Sequence, residues 1–127
     1  MKALHLTETP TTPEINLDPE NNKFELIGKS LPTNSIEFYE PVFEWANKFF
    51  YTDDVPLDMI LDFKLYYYNT SSSKQIAKLF RIIEKSPASV NITVNWFYDE
   101  EDVDMLEAGE RFNKLLNFDF EFVVNKE

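Results

Sequence analysis

Four hydroxyl-bearing side chains stand in succession between Asn69 and Lys74: Thr70, Ser71, Ser72 and Ser73. The residues that follow them have the i, i+3, i+4, i+7 apolar spacing of an amphipathic helix. Asn, Ser and Thr are preferred helix N-caps, because their side-chain oxygens accept hydrogen bonds from free backbone N–H groups. One cap needs only one such residue, and a helix N-terminus also favours a bound phosphate. The segment therefore predicts either a helix cap alone or an anion or phosphorylation site.

A second group of chemically active residues is the acidic block from Asp99 to Glu110, which follows the aromatic run 96–98. Acidic residues in a first helical turn stabilise the helix dipole, so a solvated helix start is the simplest interpretation. A Mg²⁺ or Ca²⁺ site is the alternative, but the block lacks the spacing of a calcium-binding loop. Gly109 within this helix indicates either close approach by another element or partner, or a local weakness of the helix.

The composition argues against several classes of function. A formal net charge of -11 disfavours nucleic acid and acidic membrane surfaces as partners. The chain has no Cys, so a thiolate nucleophile is excluded, and its single histidine, His5, cannot form a multi-histidine metal site. Only two glycines are present, which leaves no glycine-rich phosphate loop. A small hydrolase or ligand-binding enzyme using acids of the Asp99 to Glu110 block stays as the alternative function, and a purely structural subunit is a third.

The hydropathy pattern predicts one α/β domain with elements in the order β-β-α-β-α-β-α-β. An opening hairpin spans residues 14–18 and 23–27, and a first helix follows Pro32, with Pro41 expected to kink or restart it. Strands at 59–68 and 90–98 precede the second and third helices, and residues 118–124 form the last strand. Crossovers through helices make the strands at 61–68 and 92–97 interior parallel neighbours in a mixed sheet.

Three further expectations concern exposure and location. The strand at 59–68 is so aromatic that we predict cover on both faces, with Tyr66, Tyr67 and Tyr68 in core packing. Residues 1–12 read as a mobile leader rich in Thr and Pro. No signal peptide or membrane-spanning stretch is evident, which predicts a soluble, cytoplasmic protein.

The element order resembles the STAS domain of bacterial anti-sigma factor antagonists, in which a Ser or Thr is phosphorylated where the central strand meets its helix. Nearly the whole chain resembles the SiaC family of regulatory phosphoproteins, formerly a domain of unknown function. Two departures are Thr33, where the family has Glu, and the Asn21-Asn22 turn, where many members have Gly. The resemblance rests on these segments: 12–18, 27–34 with its Gly-x-Ser-x-Pro pattern, 38–41 with Trp45, 69–74, and 96–110.

This resemblance implies a non-enzymatic, partner-switching regulator. Such a regulator would bind no cofactor of its own, because the kinase supplies ATP and Mg²⁺ and this chain contributes only the hydroxyl. A histidine-kinase-like Ser/Thr kinase would phosphorylate Thr70, which matches the family's phosphorylated threonine, and a PP2C-type phosphatase would reverse the reaction. The unmodified form would bind and activate a target such as a diguanylate cyclase in cyclic-di-GMP signalling. Asn69, Ser71, Ser72 and Ser73 would be partner-binding or capping residues, and Lys74 would neutralise part of the added charge.

Overall fold

The computed structural model describes residues 1–126 of the chain and contains one six-stranded sheet with three helices. Within these residues, no helix is both long and apolar enough to cross a membrane. In chain order the elements are β1 (Leu4–Leu6), β2 (Glu14–Asp18), β3 (Lys23–Ser30), α1 (Ser35–Phe49), β4 (Asp58–Tyr68), α2 (Thr70–Lys85), β5 (Asn91–Tyr98), α3 (Val103–Leu115) and β6 (Asp119–Val124).

The strands lie in the sheet in the same order as in the chain. β1, β2 and β3 pair antiparallel, whereas β3, β4, β5 and β6 pair parallel. The predicted mixed sheet is thus confirmed, as are the opening hairpin to one side and the parallel pairing of β4 with β5 in the interior. Because each helix joins neighbouring parallel strands in the same direction and with the same hand, all three helices pack on one face.

The core lies between this helical layer and one face of the sheet. On β4, the side chains of Met59, Leu61, Phe63 and Leu65 are buried, and Ile60, which alternates with them, is 55% exposed. The prediction that this strand is covered on both faces is therefore wrong. The four buried apolar residues made the strand resemble one that is covered on both faces, but the helices cover only the face on which these four residues lie.

The expectation of core packing for Tyr66 and Tyr67 is also wrong, because each side chain is 54% exposed. Gly28 of β3 pairs with Leu65, whereas Lys29, the next residue, pairs with Tyr67. Tyr66 is the extra residue of this β-bulge, so the alternation of faces is broken and two successive tyrosines lie exposed. Tyr68 follows in partial burial, with its ring 6.4 Å from that of Trp96.

Residues 4–6 of the expected mobile leader form strand β1, which pairs with β2 through Leu4, His5 and Leu6. The backbone carbonyl of Lys2 also accepts a hydrogen bond of 2.8 Å from the indole Nε1 of Trp45 on α1. A three-residue strand is too short to produce a recognisable alternation, so the sequence pattern did not reveal it.

Two features of the helices bear on earlier expectations. α1 continues as one element through Pro41, so the helix does not restart there. In α3, Gly109 lies against Trp96 of β5, where a Cβ atom would be 2.5 Å from the ring atom Cδ1. The indole Nε1 of Trp96 donates to the carbonyl of Met105 at 2.9 Å. The glycine therefore reflects close approach by another element of this chain.

Candidate functional site

The hydroxyl-rich segment lies at the corner where β3 and β4 end and α2 begins. The backbone N–H of Asn69 donates to the carbonyl of Ser30, the last residue of β3, at 3.0 Å. The carboxyl ends of the parallel strands and the N-termini of the helices meet at this edge, where ligands and partners of α/β proteins commonly bind. We call residues 69–74 together with Ser30 the α2 corner.

Asn69 is the N-cap of α2. Its side-chain oxygen accepts a hydrogen bond of 2.9 Å from the backbone N–H of Ser72 and one of 3.2 Å from the Ser71 hydroxyl. A single residue thus performs the capping that the sequence could assign to any of five. Because Asn69 alone caps the helix, capping does not explain the four hydroxyl-bearing residues that follow.

Ser72 is fully buried and connects α2 to β3. Its hydroxyl donates to the Ser30 carbonyl at 3.0 Å, and the Ser30 hydroxyl donates to the Ser72 oxygen at 2.8 Å. The oxygens of the Ser30 and Tyr39 hydroxyls are 2.6 Å apart. Because the Ser30 proton is directed to Ser72, the hydroxyl of Tyr39 is the donor in this last bond. The chain of hydroxyls joins α1, β3 and α2.

Tyr39 lies on α1 with no exposed surface. Burial raises the pKa of its phenol to about 12, and the Ser30 hydroxyl, which can turn to donate to the phenolate, offsets part of that rise. Removing water disfavours the phenolate, because the charged form loses its solvation. Tyr39 is therefore a neutral hydrogen-bond donor throughout the physiological range.

The predicted site residues differ in exposure. Thr70, Ser71 and Lys74 are exposed, Ser73 is half-buried, and Ser72 is 0% exposed. Among the described residues, the Thr70 hydroxyl makes no hydrogen bond, whereas that of Ser71 donates to Asn69. The corner thus brings the predicted residues together and presents the threonine to solvent.

The segment 28–34 contains Ser30 and lies next to residues 69–74 at the α2 corner. Gly28 has a φ of +117°, which side-chain-bearing residues rarely adopt, and it forms the bulge next to Tyr66. Ser30 makes the buried contact with Ser72, and Asn34 caps α1 by accepting from the backbone of Glu37 at 3.1 Å. Sequence reasoning did not identify Ser30 and Tyr39 as site residues, although the Gly-x-Ser-x-Pro pattern contained the signal for Ser30.

The acidic block lies at the start of α3 and is used for capping. Asp102 is the N-cap and accepts from the backbone N–H of Met105 at 3.0 Å, while Asp99 accepts from the Asn125 amide at 2.9 Å. Within residues 1–126, no group of three or more His, Asp or Glu side chains is arranged to hold a metal ion. A cleft of about 250 Å³ separates this helix start from residues 66–68.

Fold and corner together define a single-sheet α/β protein that presents a threonine at a helix N-terminus. A family model described as the SiaC family regulatory phosphoprotein matches residues 6–125. The chain belongs to this family of regulatory phosphoproteins. An uncharacterized protein of Pseudomonas aeruginosa (strain UCBPP-PA14) is 30% identical over 128 residues, covering 100% of both sequences.

Solved structures of the family give the same result. The crystal structure of apo-SiaC from Pseudomonas aeruginosa has a TM-score of 0.85 with 29% identity, over 98% of this chain and 100% of that chain. This chain is also similar to a chain in the crystal structure of the diguanylate cyclase SiaD in complex with its activator SiaC, from the same organism. The TM-score of that match is 0.84 and the identity is 28%. That match covers 96% of this chain and 99% of the other. The predicted family resemblance is confirmed.

Proposed function

We propose that this chain is a non-enzymatic regulator whose unmodified form binds and activates a target protein, and whose phosphorylation at Thr70 weakens that complex. A histidine-kinase-like Ser/Thr kinase would add the phosphate and a PP2C-type phosphatase would remove it. The observation that carries the proposal is the exposed Thr70 hydroxyl in the first turn of α2, in a chain of the regulatory phosphoprotein family.

The neighbouring hydroxyls are less suitable acceptors. Ser72 has no exposed surface and donates to Ser30, so a kinase would have to unfold the first turn of α2 to reach it. Ser71 is exposed but donates to the cap Asn69. Thr70 needs neither rearrangement, because its hydroxyl is exposed and makes no hydrogen bond among the described residues.

The start of α2 is also suited to the added charge. α1 has Glu37 and α3 has Asp104 in the first turn, whereas α2 has no acidic residue there. A phosphate of about -1.5 to -2 charge on Thr70 would therefore meet the positive end of the helix dipole without a competing carboxylate. Lys74, exposed one turn further along, adds a nearby positive charge.

A relative supports one class of target. In one similar structure, SiaC is the activator in a complex with a diguanylate cyclase. We infer a diguanylate cyclase as the target of this chain too, with the α2 corner part of the contact surface. Tyr66 and Tyr67, both 54% exposed beside the corner, have the aromatic character that is enriched at protein interfaces.

Phosphorylation by the cognate kinase tests the proposal. Intact-mass measurement should find one added phosphate on the wild-type protein and none on Thr70→Ala, and the PP2C-type phosphatase should remove it. Ser71→Ala is the matched control, since it removes the adjacent exposed hydroxyl and should be modified like the wild type. Equal modification of Thr70→Ala and the wild type would refute Thr70 as the acceptor.

A further inference from the structure

One face of the sheet has no cover among residues 1–126, although four of its six strands are parallel. β3, β4, β5 and β6 pair parallel, and all three helices lie on the opposite face. Parallel sheets are almost always covered on both faces, because each face carries apolar side chains. We call the uncovered side the open face. Its exposure is unusual for a parallel sheet and indicates that another molecule supplies the second layer.

Two adjacent rows of side chains run across the open face. The first, which we call the apolar row, includes Ile27, Phe97 and Val123, with Lys64 between the first two. The Nζ atom of Lys64 lies 4.8 Å from the ring centroid of Phe97, so its charge rests on an aromatic surface. The members of this row are half-buried even without a covering layer.

The second row, the polar row, crosses all six strands in register. It consists of His5, Asn16, Glu25, Asp62, Asn95 and Glu121. Its amides hold its carboxylates in place: Asn16 donates to Glu25 at 2.8 Å, and Asn95 donates to Asp62 at 3.0 Å. Two further acids of the open face lie one row to either side of the polar row: Glu14 in register with Ile27, and Asp119 in register with Thr93. The face is thus an apolar stripe beside a fixed acidic stripe.

We propose that the open face binds an amphipathic helix of a partner protein, with an apolar stripe over the apolar row and Lys or Arg residues over the polar row. This inference rests on the proposed function and names the chemistry of the segment that the target contributes. Six strands about 4.8 Å apart span about 24 Å, which corresponds to a helix of about 16 residues. Rows on one face are about 7 Å apart, so a single helix covers both.

Charge favours this partner over a second copy of the chain. Two open faces packed together would bring Glu25, Asp62 and Glu121 of one copy towards the same acids of the other. The chain as a whole has a net charge of -11, which adds to the repulsion. A basic helix removes that repulsion and pairs the carboxylates of Asp62 and Glu121, whereas Glu25 is buried and already has the Nζ atom of Lys23 at 3.9 Å.

The test uses the full chain, labelled with ¹⁵N, and a designed helical peptide of about 18 residues with a Leu stripe beside a Lys stripe. Saturable shift changes should concentrate at the open face, and a peptide with Glu in place of Lys should not bind. Ile27→Lys should weaken binding at least about tenfold, whereas Ile36→Lys, the same change on the exposed side of α1, should alter it less than about twofold.

Asp62→Asn provides a second variant that keeps the shape and the acceptor oxygen for Asn95, in case Ile27→Lys does not fold. It should weaken peptide binding about threefold, and Asp53→Asn in an exposed loop should have no effect.

Three outcomes would overturn the proposal. They are equal effects of the target and control variants, shift changes at the helical layer, and a dimer of the free chain that Ile27→Lys disperses. Peptide binding by a chain whose Thr70 the cognate kinase does not modify would uphold this site and refute the switch. Modification of Thr70 in a chain that does not bind the peptide would overturn this site and leave the switch standing.

Discussion

The hydroxyl of Ser72 donates to the carbonyl of Ser30 at 3.0 Å, across 42 residues of sequence, and so fixes the first turn of α2 to the end of β3. Thr70, two residues earlier, has its hydroxyl in solvent. The two residues have similar chemistry but opposite environments. One maintains the corner, and the other is available for modification.

We expect Ser72→Ala to lower the free energy of unfolding by about 1–3 kcal/mol, because it leaves the buried Ser30 hydroxyl without its acceptor. Ser71→Ala removes only an exposed hydrogen bond to Asn69 and should cost less than about 0.5 kcal/mol. Urea denaturation of both variants checks this. A loss for Ser72→Ala no larger than that for Ser71→Ala would show that the buried bond contributes little.

Stability should fall at high pH because of Tyr39. Its pKa is about 12 in the folded state against an ordinary value of 10.0, so the unfolded chain releases this proton first as the pH rises. The free energy of unfolding should therefore decrease above about pH 10, by up to about 2–3 kcal/mol near pH 12. Burial raises the pKa of Tyr68 as well, so Tyr39→Phe should remove only part of this slope.

Denaturant unfolding between pH 8 and pH 11.5 measures the slope, and absorbance of the phenolate follows the titration directly. Tyr51→Phe is the matched control, since Tyr51 is 59% exposed. If the two variants show the same pH dependence, Tyr39 is not the buried phenol that the geometry indicates.

Gly109→Ala should destabilise the protein, although alanine favours a helix over glycine by about 1 kcal/mol. The new Cβ atom would lie 2.5 Å from Cδ1 of Trp96, so the ring or α3 must move, at a cost of about 1–3 kcal/mol. Thermal unfolding of Gly109→Ala, Trp96→Phe and the double variant measures the coupling. The double variant should lose less stability than the two single losses together. A stabilised Gly109→Ala would contradict this close packing.

The sequence predicted most of the fold because the relevant signals are local. The apolar spacing after Thr70 and the polar-apolar alternation before Asp18 each follow from one element alone. The cover on β4 and the exposure of Tyr67 depend instead on where the helices pack and on a bulge opposite Gly28. Neither can be read from the periodicity of one strand.

The candidate site was predictable to a similar degree. The run from Asn69 to Lys74 was identified from its composition, and its position at the strand-to-helix corner follows from the element order. The different roles of the residues within the run could not be predicted, because the burial of Ser72 depends on Ser30, which is distant in sequence. The open face was likewise hidden, since its polar row is assembled from single residues of six strands.

The phosphorylation switch predicts that Thr70→Asp folds normally and binds the target poorly. An acid at the first position of α2 meets the positive end of the helix dipole, so the variant should be as stable as the wild type or more stable by about 0.3–1 kcal/mol. At the interface the same charge loses its solvent, and a charge buried without a partner costs several kcal/mol. Affinity should therefore fall about a hundredfold or more, and phosphorylated wild type should show the same loss.

Ser89→Asp is the charge-matched control, because it adds the same charge at an exposed position beyond the far end of α2. It should bind the target like the wild type, and Thr70→Ala should bind whether or not the kinase is present. Calorimetry with the target compares the unmodified wild type, the phosphorylated wild type and the three variants, and thermal unfolding confirms that each is folded. Equal affinities of phosphorylated and unphosphorylated protein would refute the switch even with Thr70 as the modified residue. A loss for Ser89→Asp as large as that for Thr70→Asp would assign the effect to net charge and not to the corner.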